Sequence, residues 1–146
     1  MPGPLRALGR LLVSPKPFAP DVGLLLMRVL VGAGMAWLHG FEKLPPDQSF
    51  IDLIERLGFP APEFFAWAAV LAELIGGILL VLGLLTRPGA FMVLGTMLVA
   101  AFLRYKGMDL EPREKSLLYA SVSACLLFTG PGRFSLDWLW FRKRGA

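Results

Sequence analysis

The chain has 146 residues, 55% hydrophobic and 18% charged, with a mean hydropathy of +0.61. Soluble domains carry about 45–50% apolar and about 25% charged residues, and here the apolar excess falls in runs of about 17–23 residues, so one small integral membrane domain is expected. The net charge of +4 does not indicate nucleic acid, because the basic residues flank apolar runs as topology anchors, and the single cysteine (Cys125) and single histidine exclude an intramolecular disulfide, a CxxC pair, a zinc site and a two-histidine haem or metal site.

Residues 1–21 form a basic segment. Leu5, Leu8 and Leu12 share one helical face and Arg6 and Arg10 another, which suits either a short helix lying on the inner membrane surface or a basic disordered tail. The first span is read over 22–43. Arg28, Gly32, Ala36 and Gly40 recur every four residues, a ladder that admits a second helix at close range. At 100° per residue His39 falls within about 20° of Arg28, with Met35 and Glu42 nearby, so Arg28, His39 and Glu42 are expected on the packing face.

Pro45 and Pro46 stop the span. Ser49 and Asp52 then fit a capping box, followed by Phe50, Leu53, Ile54 and Leu57 at helical spacing until Gly58 and Pro60. This predicts a short amphipathic helix on the outer surface, serving as a lid over a site or as an interfacial anchor.

The second span is read over 63–85, with Ala69, Glu73 and Gly77 four apart. Glu73 lies about 15 Å and Arg28 about 18 Å below the outer ends of their antiparallel spans, which predicts an intramembrane Arg28–Glu73 ion pair. The third span, 88–104, is apolar apart from Thr96 and carries no evident chemistry. Residues 107–113 read as a polar loop. The fourth span, 114–130, places Glu114, Leu118, Val122 and Cys125 on one stripe and Lys115 and Tyr119 on the next. Gly130-Pro131-Gly132 ends it, and 131–146 is an interfacial anchor with Trp138, Trp140 and Phe141 beside Arg142, Lys143 and Arg144.

The expected fold is all-α: an integral membrane four-helix bundle with a short amphipathic helix between spans one and two. Four spans put both termini on one side. Eight basic residues fall on that side against six in the opposite loops, so both termini are expected in the cytoplasm.

The segments LLLMRVLVGAGMAWLHGFEKL, AELIGGILLVLGLLTRPGA and GPGRFSLD, with the HGxxK core at His39–Lys43, resemble the DoxX family of small four-span membrane proteins over about residues 23–137. The resemblance implies a bacterial or archaeal cytoplasmic membrane. The family name is shared with a small subunit of a thiosulfate:quinone oxidoreductase, and other members are linked to membrane oxidoreductase complexes for thiol and oxidative-stress defence. No thiosulfate-specific signature and no family-wide catalytic role carry over to these residues.

Two functions fit. The first is a subunit of a quinone-linked membrane oxidoreductase, using a mixed pocket at the outer mouth. Its catalytic candidates are His39, Glu42 and Lys43; its cofactor-binding candidates are His39, Glu114, Lys115 and Tyr119; no metal is expected. A quinone needs an apolar slot, donors at its carbonyls and a proton source, and an imidazole serves as donor and proton carrier near neutral pH. The second is a non-catalytic scaffold or accessory subunit that docks a partner complex. A small transporter or proton path ranks below both, since no inverted repeat or broken helix is evident. The expected partners are the lipid bilayer and a membrane oxidoreductase or further copies of the chain, with no nucleic acid.

Overall fold

The computed structural model describes residues 19–144, and the expectation of a surface helix or tail before residue 19 lies outside them. Among the described residues every regular element is helical. Helix α1, Ala19–Gly34, continues without a break through a π-helical turn, Met35–Gly40, and a 3₁₀ turn, Phe41–Lys43. Then follow α2 (Gln48–Arg56), α3 (Pro62–Leu82) and α4 (Thr86–Val99), which runs on through a second π-helical turn, Ala100–Arg104. Helix α5 (Leu110–Thr129) and α6 (Leu136–Arg144) complete the order.

Among the described residues three helices are long and apolar enough to cross a membrane: Pro20–Lys43, Pro62–Leu82 and Thr86–Arg104. Their outward surfaces carry large apolar side chains such as Leu30, Trp37, Phe64 and Phe91, each about two-thirds exposed or more, where a soluble protein would place polar groups. The protein is a membrane protein bathed by lipid. Helix α5 matches these spans in length but opens with Glu111, Arg113, Glu114 and Lys115. It starts four residues before the expected 114, because Pro112 sits in the first turn, where its missing N–H costs no helical hydrogen bond. Helix α3 stops three residues short of the expected 85, as Gly83 takes a left-handed conformation (φ +63°).

The Gly32–Ala36–Gly40 ladder packs on α3 with the backbones in contact. A Cβ on Gly32 would stand 2.6 Å from the Gly77 carbonyl oxygen, one on Gly77 2.6 Å from the Ala36 nitrogen, and one on Gly40 2.6 Å from the Leu74 backbone. Membrane helices lack a hydrophobic drive to associate, so such close approach carries the packing energy. Gly77→Val is expected to destabilise by about 2–3 kcal/mol through overpacking. Gly23→Val, at a site with no atom within 4 Å, should change stability by less than about 0.5 kcal/mol. Unfolding in mixed detergent micelles compares the two.

This register rules out the expected Arg28–Glu73 pair. Arg28 lies beside Gly83, ten residues beyond Glu73 on α3 and thus about 15 Å away along the axis. The first helix runs on to Lys43, so Arg28 is fifteen residues from its mouth end, about 22 Å, whereas Glu73 is eleven residues from Pro62, about 16 Å. The small-residue ladder, and not the charges, sets the depth at which the helices meet.

Arg28 is instead wholly buried at the opposite end of the helices, donating from Nη1 to the Leu80 carbonyl (3.4 Å) and from Nη2 to the Phe134 carbonyl. The GPGRFSLD segment builds this end. Asp137 accepts from the backbone N–H groups of Leu85 (2.8 Å) and Thr86 (2.9 Å), so its carboxylate caps α4. Its own N–H donates to the Gly83 carbonyl at 2.9 Å. Asp21 of α1 accepts from Arg133 N at 2.8 Å, and the Ser135 hydroxyl accepts from Trp138 N at the start of α6. Beside α6, Arg133 and Arg142 stand over the Trp138 ring at 5.6 and 5.1 Å.

Candidate functional site

At the far end from Arg28, here termed the mouth, the helices enclose a cavity of about 640 Å³. The amphipathic helix α2 covers it, with Phe50, Leu53, Ile54 and Leu57 facing in. The expected helix is present, but its cap is different: Asp47, not Ser49, is the N-cap and accepts from Phe50 N at 2.8 Å. The Ser49 hydroxyl donates to Asp47, and Asp52 accepts from Gln48. Asp47 wins because it directly precedes the first helical residue, whereas Ser49 already lies inside the helix.

The walls are apolar: Phe65, Ala68 and Ala69 from α3, and Phe91, Met92 and Met97 from α4. Polar groups converge from several helices. Lys43 Nζ donates to Glu73 Oε2 at 2.6 Å and stands 5.3 Å from the centre of the Phe50 ring. Glu73 is only 4% exposed, so the pair is where a charge most needs a partner. The Lys43 stem reaches down from the mouth and joins first helix, lid and α3. The His39 ring meets Tyr119 edge-on, with centroids 5.4 Å apart and planes at 79°. Tyr119 packs its hydroxyl against Gly34, where a Cβ would come within 2.5 Å of it. Lys115, Ser116, Thr96, Arg104 and Tyr105 complete the polar lining.

Of the residues expected at the mouth, His39, Lys43, Lys115 and Tyr119 line this one cavity. Glu42 and Glu114 do not: both are exposed and neither lines it. The π-helical turn holding His39 breaks the 100° periodicity that put Glu42 on the packing face. Glu73, expected to serve Arg28, belongs to the site. Thr96, Ser116, Arg104 and Tyr105 were not foreseen. The lysine spacing in HGFEK was the available signal for Glu73, since only a long side chain at the mouth reaches that depth. Chemically the cavity offers an apolar chamber of ligand size whose polar end holds a paired carboxylate, an ammonium, a phenol and an imidazole.

The DoxX family model matches residues 23–106. The chain is 35% identical over 130 residues to "Uncharacterized membrane protein Rv3486" of Mycobacterium tuberculosis, covering 76% of this chain and 77% of that one. It is 30% identical over 127 residues to "Inner membrane protein YqjF" of Escherichia coli (84% and 95%) and 30% identical over 118 residues to "Putative oxidoreductase CatD" of Bacillus subtilis (80% and 86%). No solved structure matches. With the family model covering more than half of the chain and these relatives covered over most of their length, the chain belongs to the DoxX family.

Proposed function

We propose that the protein is the quinone-binding subunit of a membrane oxidoreductase system, with α5 as a fourth span and both termini in the cytoplasm. The observation that carries this reading is the mouth cavity, where apolar walls converge on Lys43–Glu73 and on His39 against Tyr119. A quinone ring fits an apolar chamber closed by aromatic side chains. Its carbonyls need donors, which Lys43, Tyr119 and His39 supply. Conversion to quinol takes two electrons and two protons. His39 and the Lys43–Glu73 pair hold exchangeable protons at the cavity. Cys125, the single cysteine, faces outward from α5, so no dithiol of this chain can deliver the electrons, and a partner oxidoreductase supplies them. The oxidoreductase designation of the Bacillus subtilis relative agrees with this placement.

As a fourth span, α5 would set its charged first turn in the headgroups at the mouth, which brings Lys115 over the cavity. The test is retention of quinone by the purified protein in lipid nanodiscs, corrected against empty discs. His39→Ala is expected to weaken binding about tenfold, the worth of one hydrogen bond left unmade. A wild-type protein that retains no quinone above the empty discs overturns the reading.

A further inference from the structure

We infer that the cavity opens sideways into the bilayer through a notch between α3 and α4 at Ala68 and Gly95, and that its occupant enters there and leaves its tail in lipid. This rests on the quinone reading for the head group and adds the route and the tail. The lipid-facing stripe of α3 runs Phe64, Ala68, Leu71, Ile75, Ile78, Leu82, and every exposed member except Ala68 is large. The matching stripe of α4 runs Phe91, Gly95, Leu98, Phe102, and every member except Gly95 is large. Both exceptions line the cavity, and both are exposed. A Cβ on Gly95 would meet nothing within 4 Å.

The same two helices touch lower down. A Cβ on Gly76 would stand 3.0 Å from the Gly89 carbonyl oxygen, and one on Gly89 3.1 Å from that of Gly76. Helices α3 and α4 are therefore closed at Gly76–Gly89 and open at Ala68 and Gly95. Ala68 lies six residues from Pro62 and Gly95 nine from Arg104, about 9 and 14 Å below the mouth, within the hydrocarbon half of a bilayer. What passes the notch comes from lipid. Water-soluble ligands would have to pass α2, whose apolar face covers the mouth. An apolar tail gains little by leaving lipid for protein, so the notch need only be open. A head group seated near Glu73 then stands next to an exit for its tail, since Glu73 is a little over one helical turn from Ala68.

The experiment compares tail-less and isoprenoid-tailed forms of the same benzoquinone and naphthoquinone rings, bound to nanodisc-embedded wild type, Gly95→Leu, Ala68→Leu and the control Leu98→Trp. Filling the notch from either helix is expected to weaken the tailed forms about tenfold or more and the tail-less forms less than about twofold. Leu98→Trp, outside the cavity on the same stripe, should change neither. Undiminished binding of tailed quinone in both leucine variants overturns the notch while leaving the quinone site standing. Equal loss of both forms in both variants also overturns it, because the notch then does not discriminate tails. Failure of every quinone to bind wild type overturns the site and the notch together.

Discussion

Gly83→Ala is expected to destabilise the protein by about 3 kcal/mol or more, although it adds a single methyl group. Gly83 has φ +63°, and alanine in that region costs roughly 1–2 kcal/mol. The larger part is steric: the new Cβ would stand 1.6 Å from Arg28 Nη1 and 2.7 Å from the Ser135 Cβ. The guanidinium must then leave the Leu80 and Phe134 carbonyls while still buried, and a buried charge stripped of its partners costs about 3–5 kcal/mol. If that account holds, Arg28→Met should relieve much of the cost of Gly83→Ala. The double-mutant cycle, read from thermal unfolding in detergent, should show a coupling of about 1–3 kcal/mol. Additive effects would refute the clash.

The Lys43–Glu73 pair should answer asymmetrically to removal of its members. Lys43→Met leaves a carboxylate at 4% exposure without a cation, at an expected cost of about 3 kcal/mol. Glu73→Leu leaves an ammonium whose side chain is already 26% exposed and whose stem can turn up to the mouth, at an expected cost of about 1 kcal/mol or less. The double variant replaces both charges by apolar groups and should return to within about 1 kcal/mol of wild type. It should nevertheless bind quinone about tenfold or more weakly than wild type, because the ammonium donor is gone and only His39 and Tyr119 remain to meet the carbonyls. Recovery of stability together with full binding would remove the pair from the site.

Much of the architecture was legible in the residues because membrane helices announce themselves by length, apolarity and small-residue spacing. The Gly32–Ala36–Gly40 ladder is a local pattern, and it packs as that pattern requires. The lid helix was equally plain from Phe50, Leu53, Ile54 and Leu57. What could not be read was relative depth. A shift of a few residues between two antiparallel helices sends a charge to a different partner, and no local feature of Arg28 or Glu73 records that shift. The π-helical turns at Met35–Gly40 and Ala100–Arg104 were also hidden, because an extra residue in one turn leaves composition unchanged while rotating all that follows. The GPGRFSLD motif was visible as a sequence signature, but its work as cap and acceptor lies in contacts with residues far away in the chain.

Those distant contacts bear on how the protein is made. Phe134 lies 106 residues after Arg28, and Asp137 lies 52 and 51 residues after Leu85 and Thr86. A chain emerging from the ribosome therefore delivers α1 to the membrane with its arginine lacking an acceptor, and α4 with its first amides uncapped. Leu80 brings the arginine its first acceptor with α3, but its second acceptor and the cap of α4 come only with the last described segment. Assembly thus includes a late closing step at the Arg28 end, and nascent chains halted before Phe134 should be degraded faster by membrane quality-control proteases than chains that include it.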